Sequence, residues 1–211
     1  LLPGLALESK PTPKLVSLAP SNTELILEAG AEKSLVGISS NCNQVIPNAA
    51  QRLKGIPITG SFISANLERL TRVKPDVVLL VNGQEAVETL LKRRGFKVVV
   101  LKNNKLTDIP ENLRKIGELS RKLKQAEILA GSFDDKLWEL NMILKDSPKR
   151  PKVFYCTWAQ PLLTIGKNSF LNDVVTTCGG VNIAASLPQP YPHYSAERLI
   201  IADPDIIILP Y

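Results

Sequence analysis

The strongest constraint on the fold is a self-match between two distant stretches. Ala65–Leu80 reads A-N-L-E-R-L-T-R-V-K-P-D-V-V-L-L, and Tyr194–Leu209 reads Y-S-A-E-R-L-I-I-A-D-P-D-I-I-I-L. At a constant offset of 129 residues Glu68 falls on Glu197, Arg69 on Arg198, Leu70 on Leu199, Pro75 on Pro204, Asp76 on Asp205 and Leu80 on Leu209. That is six identities in 16 positions, with further apolar matches in the final run. Each copy reads as a helix ended by a Pro-Asp turn, followed by an apolar strand entering a buried sheet. The period is too long for a solenoid. It implies two similar lobes, and a cleft between lobes is where small ligands usually bind.

The surrounding pattern supports an α/β fold. Lys14–Leu18, Leu35–Ile38, Val77–Val81 and Val98–Leu101 read as strands, alternating with helices capped at Ser21 or Asn22, over Asn66–Thr71 and over Glu85–Arg93. Fully apolar strands alternating with helices point to parallel sheets covered on both faces. From Asp108 the pattern becomes one amphipathic helix with apolar residues three or four apart from Ile109 to Leu144. Unbroken to Asp146 it would be on the order of 55 Å long, with Gly131 the favoured place for a bend. A heptad stripe alone would fit a coiled coil, but βα segments on both sides favour a helix bridging two lobes. Beyond Pro148–Pro151 the pattern resumes with a strand at Val153–Cys156, helices over Ser169–Cys178 and Ser195–Ile201, and a strand at Ile206–Leu209. The expected domains are therefore an N-terminal α/β lobe (1–106), a connecting helix (107–147) and a C-terminal α/β lobe (148–211).

Composition removes several function classes. One His all but excludes a multi-histidine metal centre, and the three Cys (Cys42, Cys156, Cys178) contain no C-x-x-C. No apolar run approaches the roughly 18 to 20 residues that span a bilayer. The net charge of +6 raises a nucleic-acid partner, but Lys and Arg are interleaved with Glu along helices and only 5% of residues are aromatic. That pattern is a solvated helix face rather than a nucleic-acid groove. At the ends, Leu1–Leu7 reads as the remnant of a processed leader or of an expression design. The stop at Leu209-Pro210-Tyr211, straight after a strand that needs a covering helix, leads us to expect a missing C-terminal segment.

By spacing alone Glu68 and Glu197 are helix-surface glutamates pairing with a nearby Arg, although the repeat sets them at equivalent points of the two lobes. Trp158, at the end of the first strand of the C-terminal lobe, reads either as a core residue or as an exposed aromatic at a strand mouth, where ligand residues of parallel sheets collect.

The ordered set L-V-S-L-A-P-S-N-T-E (15–24), N-L-E-R-L…K-P-D-V-V-L-L (66–80), P-L-L-T-I-G-K-N-S-F-L-N-D-V-V (161–175), C-G-G-V-N-I (178–183) and Y-P-H-Y-S-A-E-R-L…D-P-D-I-I-I-L (191–209) resembles the periplasmic cobalamin-binding proteins of vitamin B12 ABC importers. It is similar also to the wider helical-backbone (class III) receptors for corrinoids, haem and iron siderophores. The resemblance covers nearly the whole chain. It implies two Rossmann-like lobes with parallel sheets joined by one long backbone helix, and a corrinoid ligand held in the inter-lobe cleft. It implies no resident cofactor or metal, no catalysis, and a periplasmic monomer, or an anchored extracellular one in a single-membrane bacterium. The ligand-binding positions that match are Pro20, Ser21, Asn22, Phe62, Trp158 and Tyr191. One Glu per lobe docks on arginines of the membrane permease in this family, and those positions match Glu68 and Glu197. The resemblance also suggests that Cys178 pairs with a Cys in the missing C-terminal part, while Cys156 in its apolar strand is a buried thiol.

There are departures. Val81-Asn82 and Leu163 stand where an aromatic would strengthen the cobalamin reading, and no Arg cluster of a siderophore pocket is evident. His193 reads as a solvent or capping residue before a ligand to cobalt or iron. Haem or an iron-siderophore chelate is the alternative cargo. An α/β enzyme has little support, since there is no G-x-G-x-x-G, no P-loop and no G-x-S-x-G.

Overall fold

A computed structural model describes residues 11–147 and 149–209. The possible leader at Leu1–Leu7, Pro148, and the terminal Pro210-Tyr211 lie outside the described residues. The chain divides into two units: one of residues up to Leu101 with Glu111–Leu129, the other of Lys102–Pro110 with Ala130 onward.

The first unit runs β1 (Leu15–Ser17), α1 (Pro20–Glu28), β2 (Leu35–Ser39), α2 (Cys42–Val45), α3 (Ala49–Arg52), β3 (Ile58–Gly60), α4 (Leu67–Val73), β4 (Val77–Val81), α5 (Glu85–Arg93) and β5 (Val98–Leu101). Its strands form one parallel sheet in the order β3-β2-β1-β4-β5, with Leu15 beside Val77 and Val78 beside Val98. The run Val77–Val81 is wholly buried, as a central strand covered on both faces requires. One layer of core joins Val16, Leu18, Val78 and Leu80 of the sheet to Leu70 of α4 and to Val87 and Leu91 of α5.

The expected 39-residue helix is not continuous. It forms α6 (Asp108–Ser120) and α7 (Leu123–Lys145), parted at Arg121, whose φ of 61° is left-handed. Lys122 N–H donates to the Gly117 carbonyl at 2.8 Å, closing α6 before the chain turns. The two helices approach closely at Gly117, where a Cβ would lie 2.5 Å from that of Ala126. Arg114 grips the Glu127 carboxylate with two nitrogens at 2.9 Å. The apolar spacing survives this break, so the pattern did not reveal it. Gly131, the expected bend, lies inside α7.

The second unit holds β6 (Lys152–Trp158), β7 (Leu163–Thr164), α8 (Phe170–Thr177), β8 (Val181–Asn182), α9 (Ala196–Ala202) and β9 (Ile206–Ile208). β6 is central, parallel to β8 and β9 and antiparallel to β7. Phe154, Cys156, Ala184 and Tyr194 form one core cluster, and Val153, Ile165 and Val175 another.

The repeat is physical. Asn66 and Ser195 each cap their helix with a side-chain oxygen, accepting from Arg69 N–H at 2.9 Å and Arg198 N–H at 3.2 Å. Lys74 and Asp203 each end it in the left-handed region, at φ 49° and 45°. Asp76 and Asp205 then each accept the N–H that opens the neighbouring strand, from Lys14 and Lys152, both at 2.7 Å.

Two glycines test the packing. A Cβ on Gly166 would lie 2.0 Å from the Gln189 carbonyl oxygen, whereas one on Gly131 meets nothing within 4 Å. Gly166→Ala should destabilise by about 1–3 kcal/mol or prevent folding. Gly131→Ala should be neutral or stabilise by up to about 1 kcal/mol. Urea unfolding midpoints of both variants check the contrast.

Candidate functional site

In the first unit the matched positions gather at the carboxyl ends of the parallel strands, where the order of connections reverses between β1 and β4. Such a switch point leaves a crevice that open α/β sheets use for ligands. Pro20, Ser21 and Asn22 form the first turn of α1, directly after β1. The helix begins earlier than the expected cap at Ser21 or Asn22: Ala19 is the extended cap residue and Pro20 the first helical one, because its fixed φ suits that place and its missing N–H costs no bond there. Ser21 is exposed, while Asn22 is buried and donates from Nδ2 to the Leu80 carbonyl at 3.0 Å. Asn22 thus ties α1 to β4 across the switch.

Phe62 lies in the tight loop after β3, half-buried. Ser61 N–H donates to the Ser64 carbonyl at 2.8 Å across that loop, and the Gly60 position would place a Cβ 2.4 Å from the same oxygen. Two amides that the sequence reading passed over hold Phe62 by its backbone. Asn41 Oδ1 accepts the Phe62 N–H at 3.0 Å. Gln84 Nε2 donates to the Phe62 carbonyl at 2.6 Å and to the Leu18 carbonyl at 3.2 Å, while its Oε1 accepts the Val81 N–H at 2.9 Å. Gln84 is buried, so it fixes the loops after β1, β3 and β4 to one another. The signal that could have found them is position: both amides follow a parallel strand by two or three residues.

Below this cluster a polar chain fills the interior. Ser17 donates to the Ala19 carbonyl at 2.9 Å, Thr23 donates to Ser17 at 2.8 Å, and Thr23 Oγ1 lies 3.3 Å from Cys42 Sγ. Burial pushes the Cys42 thiol up, opposed by its hydrogen bond with Thr23. Cys156 is also buried and Cys178 is exposed.

In the second unit Trp158 ends β6, 62% exposed, its indole N–H donating to the Gln160 carbonyl at 2.8 Å. It pairs with Leu163 of β7, and Leu163 pairs in turn with His193. Gly166 N–H to the Pro190 carbonyl, Thr164 N–H to that of Pro192 and Tyr194 N–H to that of Leu162, at 3.0 to 3.1 Å, lace residues 190–194 along β7. Tyr191, two residues before His193 at a bend of the chain, is 53% exposed. Both Trp158 and Tyr191 are exposed aromatics rather than core residues.

Glu68 and Glu197 sit in the first turns of α4 and α9, both exposed. Glu68 pairs with Arg72 at 2.9 Å. Glu197 accepts from its own N–H and from the Ser195 hydroxyl, which hold its carboxyl below the usual range. Among the described residues no group of three or more His, Cys, Asp or Glu is placed to hold a metal, and no helix is long and apolar enough to cross a membrane.

A family model described as periplasmic binding protein matches residues 15–210. The vitamin B12-binding protein of Salmonella typhimurium is 31% identical over 199 residues, spanning 93% of this chain and 72% of that one. The crystal structure of the periplasmic vitamin B12 binding protein of Vibrio cholerae superposes with a TM-score of 0.81 at 25% identity, over 93% of this chain and 76% of that one. A periplasmic heme-binding protein from Roseiflexus sp. RS-1 shares the fold, with a TM-score of 0.75 at 19% identity over 93% and 76% of the two chains.

Replacing Gln84 by Leu would leave the Phe62 and Leu18 carbonyls and the Val81 N–H without that partner. The expected cost is about 1–3 kcal/mol, with faster hydrogen exchange at the Val81 amide, read by NMR. In thiol labelling of the folded protein after mild reduction Cys178 should react well ahead of Cys42 and Cys156, as mass spectrometry of the labelled peptides would show.

Proposed function

The chain belongs to the periplasmic binding protein family, and on that premise we propose that it captures a corrinoid for delivery to the permease of an ABC importer. The observation that carries the ligand class is the 31% identity to a vitamin B12-binding protein, beside which stand exposed aromatics in one unit and rigid strand-end turns in the other. A corrinoid is a broad, flat macrocycle. It asks for aromatic faces to lie against and for turn backbone to meet its polar rim. In the second unit Trp158 and Tyr191 offer exposed rings, and in the first the Pro20–Asn22 turn and the Phe62 loop offer fixed strand-end backbone. Asn22, with its side chain committed to Leu80, acts through the backbone it fixes.

The cobalt ion is cargo carried within the ligand, and the protein holds no cofactor of its own. No bond in the ligand is made or broken, so the receptor is not an enzyme. It works as a monomer in the periplasm, or outside the membrane of a single-membrane bacterium, and has no nucleic-acid partner. Glu68 and Glu197 dock it on cations of the permease. Each is exposed in the first turn of its helix and sits at the same place in the two copies of the repeat.

Titration with cyanocobalamin should give one site per chain by calorimetry, with quenching of Trp158 fluorescence. Trp158→Phe should remove most of the quenching and Trp138→Phe little of it, and Phe62→Ala should weaken binding roughly tenfold. Absence of binding at high micromolar cyanocobalamin, with haemin binding instead, would reassign the cargo. Reversing both Glu68 and Glu197 to Lys should abolish stimulation of transport while leaving ligand affinity intact; transport that survives the reversal removes the docking assignment.

A further inference from the structure

Cations that lie far apart in the sequence gather at one end of the first unit. Lys14, Lys74 and Lys97 stand just before β1, β4 and β5, at the amino ends of three adjacent strands. Arg121 reaches them from the turn between α6 and α7, and the four line one cavity of about 600 Å³. Arg121 also borders a shallower depression of about 380 Å³, lined by Lys122, Lys124, Leu123 and Ile128. The crevice that follows β1 and β4 opens at the other end of the same sheet.

The charge gathered here is not neutralised. Arg121 donates to the Pro11 carbonyl at 2.9 Å, but among the described residues neither it nor the five lysines makes an ion pair. The two carboxylates that border the larger cavity are already engaged: Asp76 accepts the Lys14 N–H and Glu118 pairs with Lys115, both at 2.7 Å. Six cations therefore face two committed carboxylates, in a chain whose net charge is +6. Two aliphatic side chains stand among them, Leu123 at 60% and Ile128 at 57% exposed. Either alone would be ordinary. Interleaved with Arg121, Lys122 and Lys124 they make a surface both cationic and apolar. Every one of these groups lies within residues 14–128, on elements that pack in the first unit.

We infer that this end of the first unit docks on an anionic phospholipid bilayer, its six cations meeting headgroup phosphates while Leu123 and Ile128 enter the interface. The occupant follows from charge and apolar complementarity. A nucleic-acid groove offers aromatic rings on which bases stack, and no side chain lining either hollow is aromatic. A bilayer surface asks for cations toward its phosphates and aliphatic chains toward the boundary beneath them. Nothing in this contact depends on the cargo, and it leaves the crevice at the far end of the sheet open. Exposed charges are screened by salt, so the attachment is loose and reversible.

Flotation of the chain with vesicles tests the assignment, comparing phosphatidylcholine alone with phosphatidylcholine holding about one third phosphatidylglycerol. The chain should float with the anionic vesicles at low ionic strength, far less at high, and stay behind with neutral ones. Lys97→Glu with Lys122→Glu should weaken binding roughly tenfold or more. Lys136→Glu with Lys167→Glu, an equal change of charge in the second unit, should leave it as in wild type. Leu123→Ser with Ile128→Ser should weaken it roughly fivefold and leave the remainder more salt-sensitive. Equal losses from the two Glu pairs would show attraction by net charge alone and overturn the docking surface, as would equal flotation with neutral vesicles. Wild-type flotation of the Leu123→Ser, Ile128→Ser chain would remove the reason to choose a bilayer and overturn it too. Displacement by inorganic phosphate well beyond that by sodium chloride of equal ionic strength would make the cavity a site for a free anion. That result, or binding of an oligonucleotide in place of the vesicles, overturns the bilayer contact.

Discussion

Two carboxylates, Asp76 and Asp205, accept the N–H that opens the strand beside them, and in doing so each sets the register of a parallel strand pair. Once Asp76 holds Lys14, Leu15 lies beside Val77 and Ser17 beside Leu79; once Asp205 holds Lys152, Val153 lies beside Ile206 and Tyr155 beside Ile208. Parallel strands have no hairpin to fix their register, so a fixed bond at the entrance of the pair does that work. Everything placed at the far ends of these strands depends on it, including the α1 turn that follows β1 and Trp158 at the end of β6.

The Pro-Asp pair was therefore the most readable part of the sequence, since its proline ends a helix and its aspartate begins a register. Strands with unbroken apolar runs were legible too: Val77–Val81 is buried throughout, while Val98–Leu101 at the sheet edge is partly buried up to Leu101. Shorter pieces escaped. β3, with the sequence Ile-Thr-Gly, and the four-residue helices α2 and α3 are too brief for any period to appear. The break at Arg121 escaped because nothing in the residue type announces a left-handed arginine there. It is over-determined by the close approach of Gly117 to Ala126 and by the grip of Arg114 on Glu127, which are contacts of the folded pair of helices.

The candidate site divided along the same line. Pro20–Asn22, Phe62 and Tyr191 were candidates through the match to a known family's pattern, and Trp158 also through its place at the end of a strand. Asn41 and Gln84 were not, because an amide gives no sign of its partner until distant loops meet. Asn22 was legible as a position and not as a role: its buried amide spans 58 residues to Leu80. The two glutamates were placed by the repeat, but the ion pair of Glu68 with Arg72 and the hydrogen bond of Glu197 with Ser195 become visible only in the folded chain.

Gln84 joins the backbone after β1, β3 and β4 through a single side chain. The three loops therefore behave as one template, and the rim of this unit cannot be retuned one residue at a time. Altering the Phe62 loop alone gains little, because any backbone shift there strains the amide that also holds the start of α1. Any reshaping of that rim has to pass through replacement of the amide itself, which makes Gln84 the residue that decides whether the three loops move together or apart.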